Sequence, residues 1–192
     1  MRRSWFPKPY ADFVARLRVP GGFALVALFV WLSSPDPKSL VTGLPISILG
    51  LLLRGWAAGH LEKNRQLATS GPYAHLRNPL YAGTLLVAAG LVIAAREPLL
   101  AVIFATVFGL IYLPVIELEE QHLRELFPAY EAYAENVPIL WPSLRPYATE
   151  APGSAEAASV KRFRWRLYGK NQEYQALLGF LAGVAVLAWK AF

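Results

Sequence analysis

The run Gly71-Pro72-Tyr73-Ala74-His75-Leu76-Arg77-Asn78-Pro79-Leu80-Tyr81-Ala82-Gly83 gathers a guanidinium, an amide, an imidazole and two phenols within a few residues of an uncharged apolar stretch. A second polar cluster, Glu117-Leu118-Glu119-Glu120, closes the apolar stretches that follow, Leu80 to Ala95 and Pro98 to Ile116. Arg77 can clamp a carboxylate or a phosphate with two parallel N–H donors. Carboxylates accept hydrogen bonds from amines or hydroxyls, and tyrosine faces attract a positive centre. The two clusters bracket one apolar hairpin, so they emerge on the same side of it. A pocket with a cationic end, an acidic end and aromatic walls suits a small zwitterion with a cationic centre.

Each group also has a plainer reading. Arg77 can snorkel beside an aromatic belt. Glu119 and Glu120 can be a solvated helix segment, with Glu120 and Arg124 as an i,i+4 pair. Glu119 is expected to turn inward, because it shares a helix face with Leu123 and Leu126. Arg54 falls about one turn inside an apolar run, where an ionisable side chain is either a snorkelling anchor or part of a site.

The elements that must position these groups are membrane spans. Of the 192 residues 55% are hydrophobic and 17% charged, and the mean hydropathy is +0.34, outside the range of soluble domains. Uncharged runs near the ~20 residues that cross a bilayer fall at 19–34, 40–59, 79–95, 98–116 and 174–191, predicting an all-α membrane bundle of about five transmembrane helices. Arg2, Arg3, Lys8, Arg16 and Arg18 precede the first run, and Lys63, Arg65 and Arg77 lie between the second and third. Arg124, Arg145, Lys161, Arg162, Arg164, Arg166 and Lys170 follow the fourth, against Lys38, Arg96 and Lys190 on the other side. The positive-inside rule predicts a cytoplasmic N-terminus, an external C-terminus, and both polar clusters at the cytoplasmic face of an inner or plasma membrane.

The net charge of +6 is explained by anionic lipid headgroups beside the spans, and no nucleic-acid partner is expected. With no cysteine and with His60, His75 and His122 scattered, no metal site is expected. Trp5, Phe6, Tyr10 and Phe13 predict an interfacial N-terminal helix. Pro45 and Pro114 are expected to kink their spans and free carbonyls. Glu117 to Asn136 reads as a helix with Leu123, Leu126, Phe127, Tyr130, Tyr133 and Val137 on one stripe, broken or restarted at Pro128. The division expected is a membrane core over 1–145, a small-residue linker over 146–160, and a basic segment with a last span over 161–192.

Gln66-Leu67-Ala68-Thr69-Ser70-Gly71-Pro72-Tyr73, continuing through Arg77-Asn78-Pro79-Leu80-Tyr81-Ala82-Gly83, resembles the Gly-Pro-Tyr and Arg-His-Pro-x-Tyr-x-Gly signature of the isoprenylcysteine carboxyl methyltransferases and their phospholipid methyltransferase relatives. Glu119-Glu120, Leu123, Phe127, Tyr130, Tyr133 and Val137-Pro138 are similar to the second block of that family. The match covers about residues 40–142.

The resemblance implies a membrane enzyme that binds S-adenosyl-L-methionine and methylates a lipophilic acceptor drawn from the bilayer. It implies that Arg65, Gln66, Leu67 and Ala68 lie along the cofactor through backbone contacts, that Tyr73, Asn78, Pro79, Leu80 and Tyr81 enclose it, and that Glu119 and Glu120 complete the site. Arg77 would clamp an anionic group, and Glu119 or Glu120 is the only candidate base for an amine acceptor such as phosphatidylethanolamine.

Three departures stand out. Asn78 replaces the family His, Pro128 replaces a Gly, and Leu113-Pro114-Val115-Ile116 holds no Arg where the isoprenylcysteine enzymes have one near the substrate carboxylate. A carboxylate acceptor is therefore not expected. An NADPH-dependent membrane reductase of the sterol-reductase type and a non-enzymatic membrane scaffold are the alternatives.

Overall fold

The computed structural model describes residues 6–147 and 162–192, and among these every regular element is helical. In chain order they are α1 (Lys8–Leu32), α2 (Pro37–Ala58), a one-turn 3-10 segment (Gly71–Ala74), α3 (Pro79–Ala95), α4 (Pro98–Leu126), α5 (Tyr130–Asn136), α6 (Trp165–Lys170) and α7 (Tyr174–Ala191). Trp5, Lys161 and most of the expected linker lie outside the described residues.

The chain is an integral membrane protein. α2, α4 and α7 are each long and apolar enough to cross a bilayer. α1 adds a fourth crossing if its legs Lys8–Leu17 and Val19–Leu32, set at 52° to each other, count as one span. Pro20, whose ring displaces the carbonyl one turn earlier, lies at the start of the second leg. α3 has only 17 residues, short of the other spans, so three or four long spans stand where about five were expected.

The helix expected to begin at Glu117 is a continuation of α4. Nothing between Ile116 and Glu117 breaks the backbone, and Pro114 is absorbed one turn earlier. Residues Phe108–Tyr112 widen into a π turn, with the Leu113 N–H bonded to the Phe108 carbonyl. The Leu110 carbonyl, which Pro114 cannot serve, accepts instead from the Tyr10 hydroxyl at 2.7 Å. The freed carbonyl expected at this proline thus holds the N-terminal leg of α1. The Phe6 N–H adds a bond to the Glu117 carboxylate at 3.1 Å. α4 ends before Pro128 and the chain restarts at Tyr130, as the proline predicts.

The chain forms two compact units. The first holds the described residues through Pro45, with 88–122 and 182–192; the second holds 46–87, 123–147 and 162–181. The core of the first unit is Leu40, Ala94, Ala95, Leu100 and Leu187, with Phe29, Leu32, Leu44 and Leu91 around it. Its small residues let backbones meet: a Cβ on Gly43 would stand 2.3 Å from the Gly90 carbonyl, and the Ser39 hydroxyl donates to the Ala94 carbonyl at 2.8 Å.

The turn before α2 is fixed by Asp36, which accepts from the Ser39 N–H at 2.7 Å and pairs with Arg96. That backbone N–H bond holds the Asp36 carboxyl below its ordinary value. Lys190 donates to the Val30 carbonyl at 2.9 Å and to Ser33, neutralising the carbonyl end of α1.

The second unit has an aromatic core. Tyr130, Tyr133, Ala134 and Val137 are buried, and Leu67, Leu123, Phe127 and Tyr147 pack on them. Leu126, expected on the same stripe, is exposed. Tyr147, at the edge of the expected linker, stacks edge-on against Tyr133 at 5.3 Å, so the ordered core reaches into that segment.

Candidate functional site

The segment between α2 and α3 is held from two directions. Ser70 and Gly71 start the 3-10 turn, and Gly71 has φ +58°, a conformation that residues with a side chain adopt at a cost. The space beside it is also taken, since a Cβ there would lie 2.7 Å from the ring of His60. His60 Nδ1 and the Ser70 hydroxyl share a hydrogen bond of 3.0 Å, and both residues are buried. Burial, then the positive charge of Arg164, holds the His60 imidazole below its ordinary value, favouring the neutral ring.

From the other direction, residues 137–147 run alongside 73–78. Pro138 and Ile139 carbonyls accept from the Arg77 and Asn78 N–H groups at 2.8 and 3.1 Å. The Ser143 and Tyr147 N–H groups donate to the His75 and Ala74 carbonyls, each at 2.8 Å. His75 Nδ1 meets the Ser143 carbonyl at 2.8 Å, and the Tyr133 hydroxyl donates to the Tyr73 carbonyl at 2.7 Å. The Tyr-x-x-Tyr and Val-Pro block therefore acts as a clamp on the Gly-Pro-Tyr block. This physical reason for the two motifs to occur together is invisible in either alone.

At the start of α3 a third set of contacts appears. The α2 face carrying Ser47 and Gly50 ends in Arg54. A Cβ on Gly50 would stand 2.6 Å from the Gly83 carbonyl, and one on Gly83 would stand 2.5 Å from Cγ of Arg54. Gly83, the last residue of the signature, leaves the path along which Arg54 reaches the Leu80 carbonyl at 3.3 Å and the Thr84 hydroxyl. The guanidinium also forms a two-pronged pair with Glu173. Arg54, read from sequence as a snorkelling anchor or part of a site, is instead tied down by this pair beside α3.

Leu67 lies on the aromatic core, and Gln66 and Ala68 beside it are half-buried. Arg65 is exposed, with Glu62 at 3.7 Å. Tyr73 and Pro79 are buried, and Arg77, Asn78, Leu80 and Tyr81 are half-buried. The Asn78 amide points at the Ile139 carbonyl at 3.4 Å, so the residue in the family His position supports the clamp. All of these belong to the second unit; Glu119 and Glu120 belong to the first.

The inward face expected for Glu119 falls to its neighbour: Glu119 is exposed and Glu120 is buried. Glu120 follows buried Ile116 by one turn, and Leu123 and Phe127 continue that face, whereas Glu119 leads to exposed Leu126. The Arg124 side chain reaches Glu131 at 2.8 Å and lies over the Tyr130 ring.

A phospholipid methyltransferase family profile matches residues 41–130, the stretch that contains both clusters. A cobalt-zinc-cadmium resistance protein of Cupriavidus metallidurans is 33% identical over 164 residues, covering 79% of this chain and 76% of its own. A nickel-cobalt-cadmium resistance protein of Alcaligenes xylosoxydans xylosoxydans is 30% identical over 168 residues, 81% of this chain and 79% of its own. Protein-S-isoprenylcysteine O-methyltransferase B of Arabidopsis thaliana is 33% identical over 109 residues, 50% of this chain and 55% of its own. The chain belongs to the isoprenylcysteine and phospholipid methyltransferase family. No solved structure matches it.

Membership favours methyl transfer over the reductase and scaffold readings, and this protein is a membrane methyltransferase. The profile ends at Tyr130, so the methyltransferase clamp residues 137–147 and the Glu173 pair lie beyond it. Sequence reasoning missed His60 with Ser70, the role of His75 with Ser143, and Glu173. Only His60 carried a signal, as a lone imidazole one residue past a span.

Proposed function

We propose that this methyltransferase uses S-adenosyl-L-methionine and methylates a lipophilic acceptor that enters from the bilayer at the cytoplasmic face, with a lipid amine favoured over an isoprenylcysteine carboxylate. The observation that supports the reading most is the double hold on residues 70–78, by His60 on one side and by residues 137–147 on the other. It fixes the backbone that carries half-buried Arg77, a few residues before half-buried Tyr81. A rigid segment pays little ordering cost when it binds a flexible zwitterion.

Within the second unit the residues present suit such a cofactor: a guanidinium for its carboxylate and phenol rings for its sulfonium. When bound, S-adenosyl-L-methionine supplies an electrophilic methyl group. The chain's own part is to align the acceptor, exclude water and accept a proton. In this reading Arg65, Gln66, Leu67 and Ala68 contribute backbone contacts, Tyr73, Asn78, Pro79, Leu80 and Tyr81 enclose the cofactor, and Arg77 holds its carboxylate. Glu119 or Glu120 takes the proton of an amine acceptor, and Glu120, the buried member, is the stronger candidate. The Leu113 to Ile116 stretch offers no cation for an acceptor carboxylate, and Arg54 is already neutralised by Glu173.

Calorimetric titration with S-adenosyl-L-methionine tests the cofactor assignment. Binding is expected to the wild type and to be lost in Tyr81→Ala and Glu119→Ala, with Glu120→Ala showing whether the buried carboxylate is the one required. Unchanged affinity in all three variants sinks the placement. The metal-resistance names of two relatives add one physiological expectation: if this protein serves the same end by altering membrane lipids, removing it lowers tolerance to cobalt, zinc or cadmium. A strain without it that grows equally well in all three metals rejects that role.

A further inference from the structure

α6 and the short turn after it fasten onto the end of α2. The Arg164 N–H donates to the Gly59 carbonyl at 2.9 Å, and its guanidinium reaches Glu62 at 3.0 Å. The Asn171 amide donates to the carbonyls of Ala58, the last residue of α2, and of Leu61 in the turn that follows, both at 2.9 Å. Two residues later Glu173, 7% exposed, takes Arg54. α7 begins at the next residue.

Arg54 divides its donors. Nε and Nη2 go to the two Glu173 oxygens, at 2.5 and 3.1 Å, while Nη1 goes to the Leu80 carbonyl and the Thr84 hydroxyl. The guanidinium is planar and its donors are fixed relative to one another, so a carboxylate gripping one edge sets where the remaining donor points. That donor meets the opening turns of α3, which carry Leu80 and Tyr81. The Thr84 hydroxyl also donates to the Leu80 carbonyl at 2.9 Å, joining both targets into one knot.

We infer that Glu173 is a positioning residue of the methyltransferase site: through Arg54 it sets the opening turns of α3, and with them Tyr81. The segment entering the last helix is thus part of the active enzyme, not only its anchor. This inference rests on the cofactor reading above. An apolar residue in place of the pair would pack α2 against α3 as well, since buried ion pairs add little stability over apolar replacements. What the pair adds is direction.

The test uses the full chain in lipid nanodiscs, titrated with S-adenosyl-L-methionine, with thermal melting and gel filtration as checks on the fold. Glu173→Gln keeps the shape and removes the charge; its affinity is expected to fall about tenfold with melting and elution unchanged. Glu173→Asp should recover part of the loss. Arg164→Gln, which loosens the same segment from Glu62 without touching Arg54, should bind like the wild type. Equal affinity in Glu173→Gln and wild type overturns the inference, as does an equal loss in Arg164→Gln.

If Glu173→Gln does not fold, Arg54→Lys replaces it, because a single ammonium cannot hold the carboxylate and the α3 acceptors in the same geometry. Unchanged affinity there overturns the inference equally. Failure of the wild type to bind the cofactor overturns the cofactor reading and this inference with it, whereas wild-type binding that is indifferent to Glu173 overturns this inference alone.

Discussion

The Tyr133 hydroxyl donates to the Tyr73 carbonyl at 2.7 Å, joining residues 60 positions apart and both nearly inaccessible to solvent. Around that bond the two signature blocks of the family become one object. Tyr133 supplies the hydroxyl, residues 137–147 supply a run of backbone donors and acceptors, and the Gly-Pro-Tyr turn and the residues after it receive them.

Tyr133→Phe removes the hydroxyl and leaves the Tyr73 carbonyl buried without that donor, which costs about 1–3 kcal/mol. The expected outcome is a lower melting temperature together with weaker cofactor binding, because the lost bond anchors the turn directly. Melting and affinity that both match the wild type would mean the clamp does not act through this bond.

Gly83→Ala places a methyl 2.5 Å from Cγ of Arg54 and 2.8 Å from the Gly50 carbonyl. The backbone of α2 cannot yield as a side chain would, so α2 and α3 must move apart at a cost of about 1–3 kcal/mol. Thermal unfolding in nanodiscs should register the loss. Gly109→Ala, where a Cβ meets nothing within 4 Å, is the control and should melt near the wild type.

His60 gives a pH dependence with a definite sign. Its folded-state pKa lies below the ordinary 6.5, first because the ring is buried and then because Arg164 is near. The unfolded chain therefore binds the extra proton more readily, so stability is full above about pH 6.5 and declines as the pH falls through the window below it. Melting temperatures measured between about pH 7.5 and pH 5 should drop more steeply in the wild type than in His60→Gln. Parallel curves would remove His60 from the account.

The charge asymmetry of the connecting segments predicts orientation. A reporter fused after Phe192 should read as external and one fused near Ser154 as cytoplasmic, following the Lys and Arg distribution. The same side for both would mean that α7 does not cross the membrane.

The long spans α2, α4 and α7 were legible because uncharged runs of near-bilayer length have few other uses in a chain this apolar. α3 matched its expected limits, 79–95, to the residue, since Pro79 and Arg96 punctuate it. The start of a new helix at Glu117 was misread because a change from apolar to acidic composition looks like a boundary, while the backbone hydrogen bonds that define a helix ignore it. The choice between Glu119 and Glu120 turned on one 100° step around α4, which a stripe drawn through Leu126 assigned to the wrong neighbour. The Arg54 and Glu173 pair joins residues 119 positions apart. No local pattern announces such a pair, and Glu173 has no neighbour in sequence that marks it as buried.

The measurement that bears most directly on the central claim is transfer of a labelled methyl group from S-adenosyl-L-methionine, in vesicles holding the full chain, phosphatidylethanolamine and a farnesylcysteine analogue together. The account predicts label in the phospholipid and feeble labelling of the farnesylcysteine, whose carboxylate finds no cation in the Leu113 to Ile116 stretch and would forgo about 1.5–3 kcal/mol of charged hydrogen bonding. Robust labelling of the farnesylcysteine analogue alone would contradict the account, and Arg77 or a released Arg54 would then have to hold that carboxylate.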